Sequence, residues 1–302
     1  EPAAPRGSDL VLTGNVEKRS PRLAGEEKEL TISGRSKTGD LVDSSAEHKT
    51  GEFRKKTARD VIGELAEAHG VKVEAETTLK SRDLFRLYPG ETVFAAAERW
   101  ARAEGFTLSD TPEGNLKIAA GATKQHAGEI ADGDGWPAII DASAVHDDSK
   151  RFGKVKVRAQ APDGYGPDTL QIEDEARDEA PLRGRVRVIT PPEQVAKTDA
   201  RKRAQWHRDR AAGEGVSCEV TVVGWRDAAG RIWTPGWNVF VAIADLGLSQ
   251  PMTIKTVKLA QSDEGTKATL SLVDPRAFGA KSAKGGKSGK GWNMGKSGGD
   301  DT

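Results

Sequence analysis

Near its start the chain alternates apolar and polar positions, Leu30 and Ile32 with Thr31 and Ser33. Residues 10–16 (LVLTGNV) and 28–35 (KELTISGR) read as short strands, and the polar segment holding Pro21 and Gly25 turns the chain between them. From residue 57 the period changes to that of a helix. Thr57 is placed to cap an apolar face of Val61, Ile62, Leu65 and Ala68, Gly70 ends it, and a strand through Val71 and Val73 follows. A second unit of the same kind starts at Pro89-Gly90-Glu91-Thr92. It runs through Val93, Phe94, Ala97, Trp100 and Ala101, stops at Gly105, and passes into a strand through Phe106 and Leu108. ELAEAHGVKV and RWARAEGFTL align without a gap, pairing Leu65 with Trp100 and Gly70 with Gly105. The pattern predicts a small α/β domain over 51–120 built from these helix-Gly-strand units.

Further on, the polar, Gly-rich residues 121–140 read as a linker, and 153–160 (GKVKVRAQ) as a strand. Residues 161–180 are acidic and turn-rich, which predicts an exposed loop. A strand over 184–189 closes at Pro191-Pro192. A helix is expected over 193–212, with Ala196, Ala200, Ala204 and Ala211 on a small face that can approach a sheet closely. Strands follow: 216–223 is expected to pair with 231–243, and 252–260 to form a hairpin with 266–273 across Ser262–Gly265. Residues 141–278 thus predict a β-barrel domain with one packed helix. Residues 1–50 predict part of a first β-barrel, because a lone hairpin is marginal in water. The chain opens without Met on a Pro-rich lead-in, so the start of that domain is expected upstream of this numbering. The Gly/Lys/Ser-rich residues 279–302 cannot bury enough surface to order themselves and read as a tail.

Composition narrows the class. With 302 residues, 36% hydrophobic and 30% charged, the chain is long enough for about two domains and polar for a globular protein. The 46 basic and 46 acidic residues cancel, which gives no global argument for nucleic acid or acidic membranes. The single cysteine, Cys218, excludes an intrachain disulfide and sits in an alternating strand as a small core residue. No window approaches the length of a membrane-spanning helix, and no signal peptide stands at the start.

Candidate chemistry is sparse. GKS occurs at Gly286 and Gly295, but a phosphate loop needs another Gly with four residues between, where Lys281 and Lys290 stand. His146-Asp147-Asp148 and the Asp132/Asp134 turn lack the further ligands of a metal site. No GxSxG occurs, and Glu173-Asp174-Glu175 sits among like charges where solvation is the simpler account. The basic residues Arg201, Lys202, Arg203, Arg208 and Arg210 alternate with Asp199 and Asp209, which favours a solvated or intersubunit face over nucleic acid. No enzyme activity, cofactor or metal is expected.

The string GRSKTGDLVD, from Gly34 through Arg35, Lys37, Asp40 and Leu41 to Asp43, closed by Ser44-Ser45-Ala46, resembles a segment of the baseplate hub proteins of Mu-like contractile phages. The resemblance continues in order. It takes in the aromatic-Pro-Gly-Glu turn at Tyr88–Glu91, with Pro89 and Gly90, the re-entry at 142–160, and VTVVGW ending at Trp225. It then takes in the Arg231-Ile-Trp233-Thr-Pro-Gly-Trp strand and the closing Asp274-Pro275-x-x-Phe278. Ser44 stands where many relatives have Cys. The resemblance implies an α+β, mainly β chain with two similar β-barrel tube-type domains around a small insert domain. It implies a homotrimer in which six barrels make a pseudo-sixfold ring. Such a ring matches the sixfold tail tube on one side and holds the threefold spike on the other, with DNA passing through unbound. Implied partners are the tail tube, central spike and baseplate wedge proteins and the tape measure protein, in a virion assembled in the host cytoplasm. Residues 89–108 also resemble LysM peptidoglycan-binding modules, which open on a similar turn into a helix. The alternative is therefore a wall-binding or wall-degrading tail component.

Overall fold

The computed structural model describes residues 6–122, 124–133, 135–160, 172–179, 184–191 and 197–278. The chain divides into two compact units, residues 6–120 and the residues from 121 onward, each with a core of its own.

The first unit opens on an antiparallel ribbon, β1 (Gly14–Ala24) and β2 (Glu27–Ser36), closed by a tight turn in which Gly25 takes a positive φ of 63°. The first strand lies later than the alternation predicts and runs through Pro21 instead of turning there. A proline lacks only the N–H that a two-stranded ribbon leaves unpaired at its edge, so the ladder tolerates it. A bulge at Glu17 breaks the register between Val16 and Lys18. Next come α1 (Gly39–Asp43), β3 (Glu52–Thr57), α2 (Ala58–Ala66), β4 (Val73–Ala75), β5 (Ser81–Arg86), α3 (Val93–Glu104), β6 (Thr107–Asp110) and β7 (Leu116–Ala119). β3 pairs with β5, and a separate three-stranded sheet has the order β4-β7-β6.

Both expected helices form, each started by the expected threonine. The Thr57 hydroxyl accepts from the Asp60 N–H while the Asp60 carboxylate accepts from the Thr57 N–H, and Thr92 caps α3 through the Ala95 N–H. Gly105 ends α3 at a φ of 76°. The apolar face of α2 differs in one residue. The helix tightens to a 3-10 turn over Glu67–His69, so Ala68 rotates outward and is exposed, and Ala66 takes the inner position. Val61, Ile62 and Leu65 pack with Leu41, Phe53, Phe85, Trp100, Phe106 and Ile118 in one buried cluster.

The second unit contains β8 (Gln125–Ala131), β9 (Ile139–His146), β10 (Lys154–Ala159), β11 (Ile172–Arg177), β12 (Val186–Ile189), α4 (Lys197–Glu214), β13 (Val216–Val223), β14 (Asn238–Ile243), β15 (Leu248–Ser262) and β16 (Gly265–Val273). Six of the strands form one sheet in the order β8-β14-β15-β16-β13-β9. The expected linker over 121–140 is therefore corrected. Residues 125–131 are a strand whose Ile130 is fully buried, paired parallel to β14. Gly128 and polar neighbours disguise it, because only Ile130 and His126 point inward.

The expected pairing of 216–223 with 231–243 is also corrected. β13 lies between β9 and β16, and β14 pairs with β15 and β8. The 252–260/266–273 hairpin forms, with Ser262 opposite Gly265. Residues 172–177 of the expected acidic loop are strand β11, because Glu173 and Glu175 face Arg158 and Lys156 of β10 across the ladder and only Ile172 and Ala176 turn inward. The sheet β11-β10-β12 carries α4, which buries Ala200 and Ala204 against Val157, Ile172 and Ala176. Among the described residues the helix runs over Lys197–Glu214, past the expected end at residue 212, and Ala212 is buried where Ala211 is only partly covered. Ala196 and the 279–302 tail lie outside the described residues.

Candidate functional site

Segment 34–46 is not the polar loop its composition suggests. Gly34 lies near the end of β2 with its α-carbon against β1, where a β-carbon would sit 2.0 Å from the Asn15 carbonyl oxygen. Arg35 follows and reaches both carboxylate oxygens of Glu17 through Nε, at 2.8 and 2.9 Å, while Nη2 bonds Asp43. Glu17 is the bulged residue, so it has no cross-strand partner and its carboxylate is left for Arg35. The hydrogen bonds from Arg35 hold the Asp43 carboxyl below the ordinary range, and those to Asp43 and Glu17 keep the guanidinium firmly protonated. Asn15 donates to Asp40 at 3.4 Å, the Lys37 N–H to the Thr13 carbonyl at 3.2 Å, and Leu41 is fully buried. The motif is thus a clamp fixing the ribbon to α1.

The same unit brings the Pro89-Gly90 corner to that clamp. Ser45 bridges Thr92, the Ala46 N–H donates to the Glu91 carbonyl at 2.8 Å, and the Val93 N–H donates to the Ser44 carbonyl at 3.1 Å. Glu91 Oε1 accepts from the Tyr88 N–H and from Arg99 Nη2, both at 2.7 Å. The Arg99 guanidinium lies over the rings of Phe85 and Tyr88, 4.4 and 4.2 Å from their centroids. Gly90 sits at a φ of 79°, which a side chain would strain. Gly34, Arg35, Lys37, Asp40, Leu41, Asp43, Pro89 and Gly90 therefore belong to one structural knot, beside a groove of about 330 Å³ lined by Arg35, Val42, Phe94, Leu108, Asp110 and Leu116.

In the second unit, Trp225 donates from Nε1 to the Ala260 carbonyl at 3.0 Å, its own carbonyl accepts the Trp233 N–H at 2.9 Å, and Trp233 is buried. Asp274 receives Arg276 in a two-pronged pair, 2.9 Å on each arm, which raises the Arg276 pKa. Pro275 is buried and Phe278 half-buried in the 3-10 turn Pro275–Phe278 that packs on α4. The Trp pair and the Asp-Pro-x-x-Phe turn thus fasten different edges of this unit.

Sequence reasoning missed the most buried polar pair. His126 on β8 and Asp227 are both without side-chain exposure, with Nδ1 donating to Asp227 Oδ2 at 2.9 Å. His126 Nε2 accepts the Thr234 N–H at 3.1 Å, which fixes the neutral tautomer. Asp227 also accepts from the N–H groups of Ala127, Ala229 and Arg231. Burial lowers the His126 pKa despite its carboxylate partner. Burial would raise that of Asp227, but the hydrogen bonds it accepts prevail and lower it. The residues are 101 positions apart, and no local spacing could join them. Burial also pushes the Cys218 thiol up to about 11, so it is a core residue rather than a nucleophile. No group of three His, Cys, Asp or Glu side chains among the described residues could hold a metal.

Residues 38–120, the clamp and its α/β unit, match the model of the second domain of gp44-like baseplate hub proteins, and residues 196–281 match the fourth domain of the Mu phage baseplate assembly protein GpP. The chain is a phage tail protein of the baseplate hub type. This hub chain is 24% identical over 287 residues to the baseplate hub protein gp44 of Escherichia phage Mu, covering 90% of this chain and 74% of that protein. Its fold is similar to the 43 kDa tail protein of prophage MuSo2 from Shewanella oneidensis. There the TM-score is 0.77 and the identity 29%, covering 90% of this hub chain and 80% of the other. A tail protein from Neisseria meningitidis MC58 shares the fold at a TM-score of 0.75 and 22% identity, covering 89% and 82%. The hub is a structural tail component and not an enzyme.

Proposed function

We propose that the chain forms the trimeric ring at the centre of a contractile tail baseplate. In this reading it joins the sixfold tail tube to the threefold spike and lines part of the channel through which DNA leaves. The observation that carries it is the order of two hub-type domains, 38–120 then 196–281, inside a similarity that spans 90% of the chain. Residues 1–50 belong to a first barrel-type domain, 51–120 to the insert and 141–278 to a second barrel-type domain with α4 against it. The ribbon supports this assignment. Val16, Leu23, Leu30 and Ile32 are all exposed, and the register places them on one face, as strands of a barrel would be before other strands cover them. The clamp around Arg35 and the knot at Pro89-Gly90 serve as joints that hold loops and strands in position for assembly. The tail tube, spike, wedge and tape measure proteins are the partners, in a virion assembled in the host cytoplasm.

The test is the mass of the protein by light scattering after size exclusion, with negative-stain imaging of the same fraction. A trimer with a central hole is expected. A chain that stays monomeric at every concentration tried, and with purified spike protein added, overturns the ring.

A further inference from the structure

β12 pairs with β10 on one side, and on its other side the described residues place no strand. Its residues divide cleanly between the two faces. Val186 and Val188 stand beside Lys154 and Lys156 on the face away from α4 and are 51% and 48% exposed. Arg187 stands beside the buried Val155 on the α4 side. There Arg187 lies near His207 of the helix, as do Arg203 and Arg210. Burial and the charges of these arginines push the His207 ring down to about 4. Arg185 and Arg187 lie over Phe152, 4.7 and 5.7 Å from the ring centroid, and Arg210 lies over Trp206 at 5.1 Å while pairing with Glu214 at 2.8 Å.

The contrast with the neighbouring strands is informative. On β10 and β11 each basic residue of the outward face has a carboxylate: Lys156 and Arg158 share Glu173, and Lys154 and Arg177 share Glu175. Neither Arg185 nor Arg187 has a carboxylate within ion-pair distance among the described residues. Among the described residues the sheet thus ends on β12, with Arg185 and Arg187 lacking a carboxylate on one face and wet valines on the other. Such an edge is costly to leave bare, since it invites pairing.

We infer that the β12 edge is a docking site for an extended, acidic segment of a partner protein, which adds as a further strand. Its carboxylates turn toward Arg185 and Arg187, and its alternate apolar side chains turn toward Val186 and Val188. A phosphodiester backbone would neutralise the arginines but would leave the valines in water and the main-chain edge unpaired. An alternating carboxylate/apolar strand answers all of them together. This goes beyond the ring assignment and does not depend on the trimer.

The test uses the whole chain and a fluorescent, alternating Glu-Val peptide, read by anisotropy. Oligoglutamate of equal length, an alternating Lys-Val peptide and oligothymidylate are the comparisons. The Glu-Val peptide is expected to bind, more weakly as salt rises, and to raise the His207 pKa followed by proton NMR. Arg187→Glu is expected to weaken binding about tenfold through lost attraction and new repulsion. The double variant Val186→Thr/Val188→Thr keeps strand propensity and is expected to weaken the Glu-Val peptide while leaving oligoglutamate unchanged. No binding of the Glu-Val peptide overturns the proposal. So does equal binding of oligoglutamate or oligothymidylate, or an affinity that neither set of substitutions moves.

Discussion

His126 can take up a proton only by giving up a bond. Its Nε2 accepts the Thr234 N–H and its Nδ1 faces Asp227, so the cation would set two donors against each other in a dry site. The folded-state pKa lies below the unfolded value, so the unfolded chain binds the proton more readily. The stabilisation is therefore complete above about pH 6.5 and is lost as pH falls through the depressed folded pKa. Asp227, whose folded pKa is also lowered, adds a loss of the same sign at lower pH. Thermal midpoints measured at falling pH should decline from about pH 6.5, where the histidine starts to titrate in the unfolded chain. His126→Gln should be less stable at neutral pH yet flatter just below it. An unchanged slope in the variant would remove the histidine from the account. Arg35 makes a different case, since its pair with Glu17 and Asp43 is half exposed. Arg35→Ala should speed amide exchange along residues 14–36 and leave α2 and α3 protected, read by hydrogen-exchange mass spectrometry. Uniform loss of protection would contradict a local clamp.

At the scale of elements, α4 is tightly constrained at its end. A β-carbon on Gly213 would lie 2.1 Å from the Ala277 amide nitrogen, backbone against side chain, so the 275–278 turn or the helix must move. Gly213→Ala should cost about 1–3 kcal/mol by denaturant unfolding, as overpacking does. An unchanged midpoint would show that the turn yields freely. Trp100, fully buried between Phe85 and the helix face, should cost about 3–5 kcal/mol when cut to Ala. These helices were legible because caps, apolar period and terminal glycine agree over Thr57–Gly70 and Thr92–Gly105. The strands were legible where alternation is strict, as in Val216–Val223. β8 and β11 were not, because their inward positions are few and their outward glutamates and glycines read as loop. Pairing was less legible still. Nothing in the alternation of β13 says that β9 and β16, rather than β14, lie beside it.

For the whole molecule, the two units carry separate cores, Leu41 to Ile118 in one and Ile130 to Leu272 in the other. Trp100→Ala and Met252→Ala therefore act on different packing and should combine additively to within about 0.5 kcal/mol in unfolding free energy. A larger coupling would mean that the cores share a load. The motif residues were legible as a set, since Gly34 to Asp43 and Pro89-Gly90 meet in one knot. Their roles were not, because Glu17 and Arg99 complete that knot from positions the strings do not contain.

The six-stranded sheet also sets an order in time. β8 near residue 125 waits for β14 near residue 240, and β9 waits for β13, which in turn lies against β16 at the end of the described chain. A ribosome releasing residues one by one would finish the α/β unit from nearby contacts while β8 and β9 were still without neighbours. The larger sheet can close only when almost the whole chain has emerged. Pauses or truncations late in translation should thus leave an N-terminal unit already folded beside an open, aggregation-prone half-sheet.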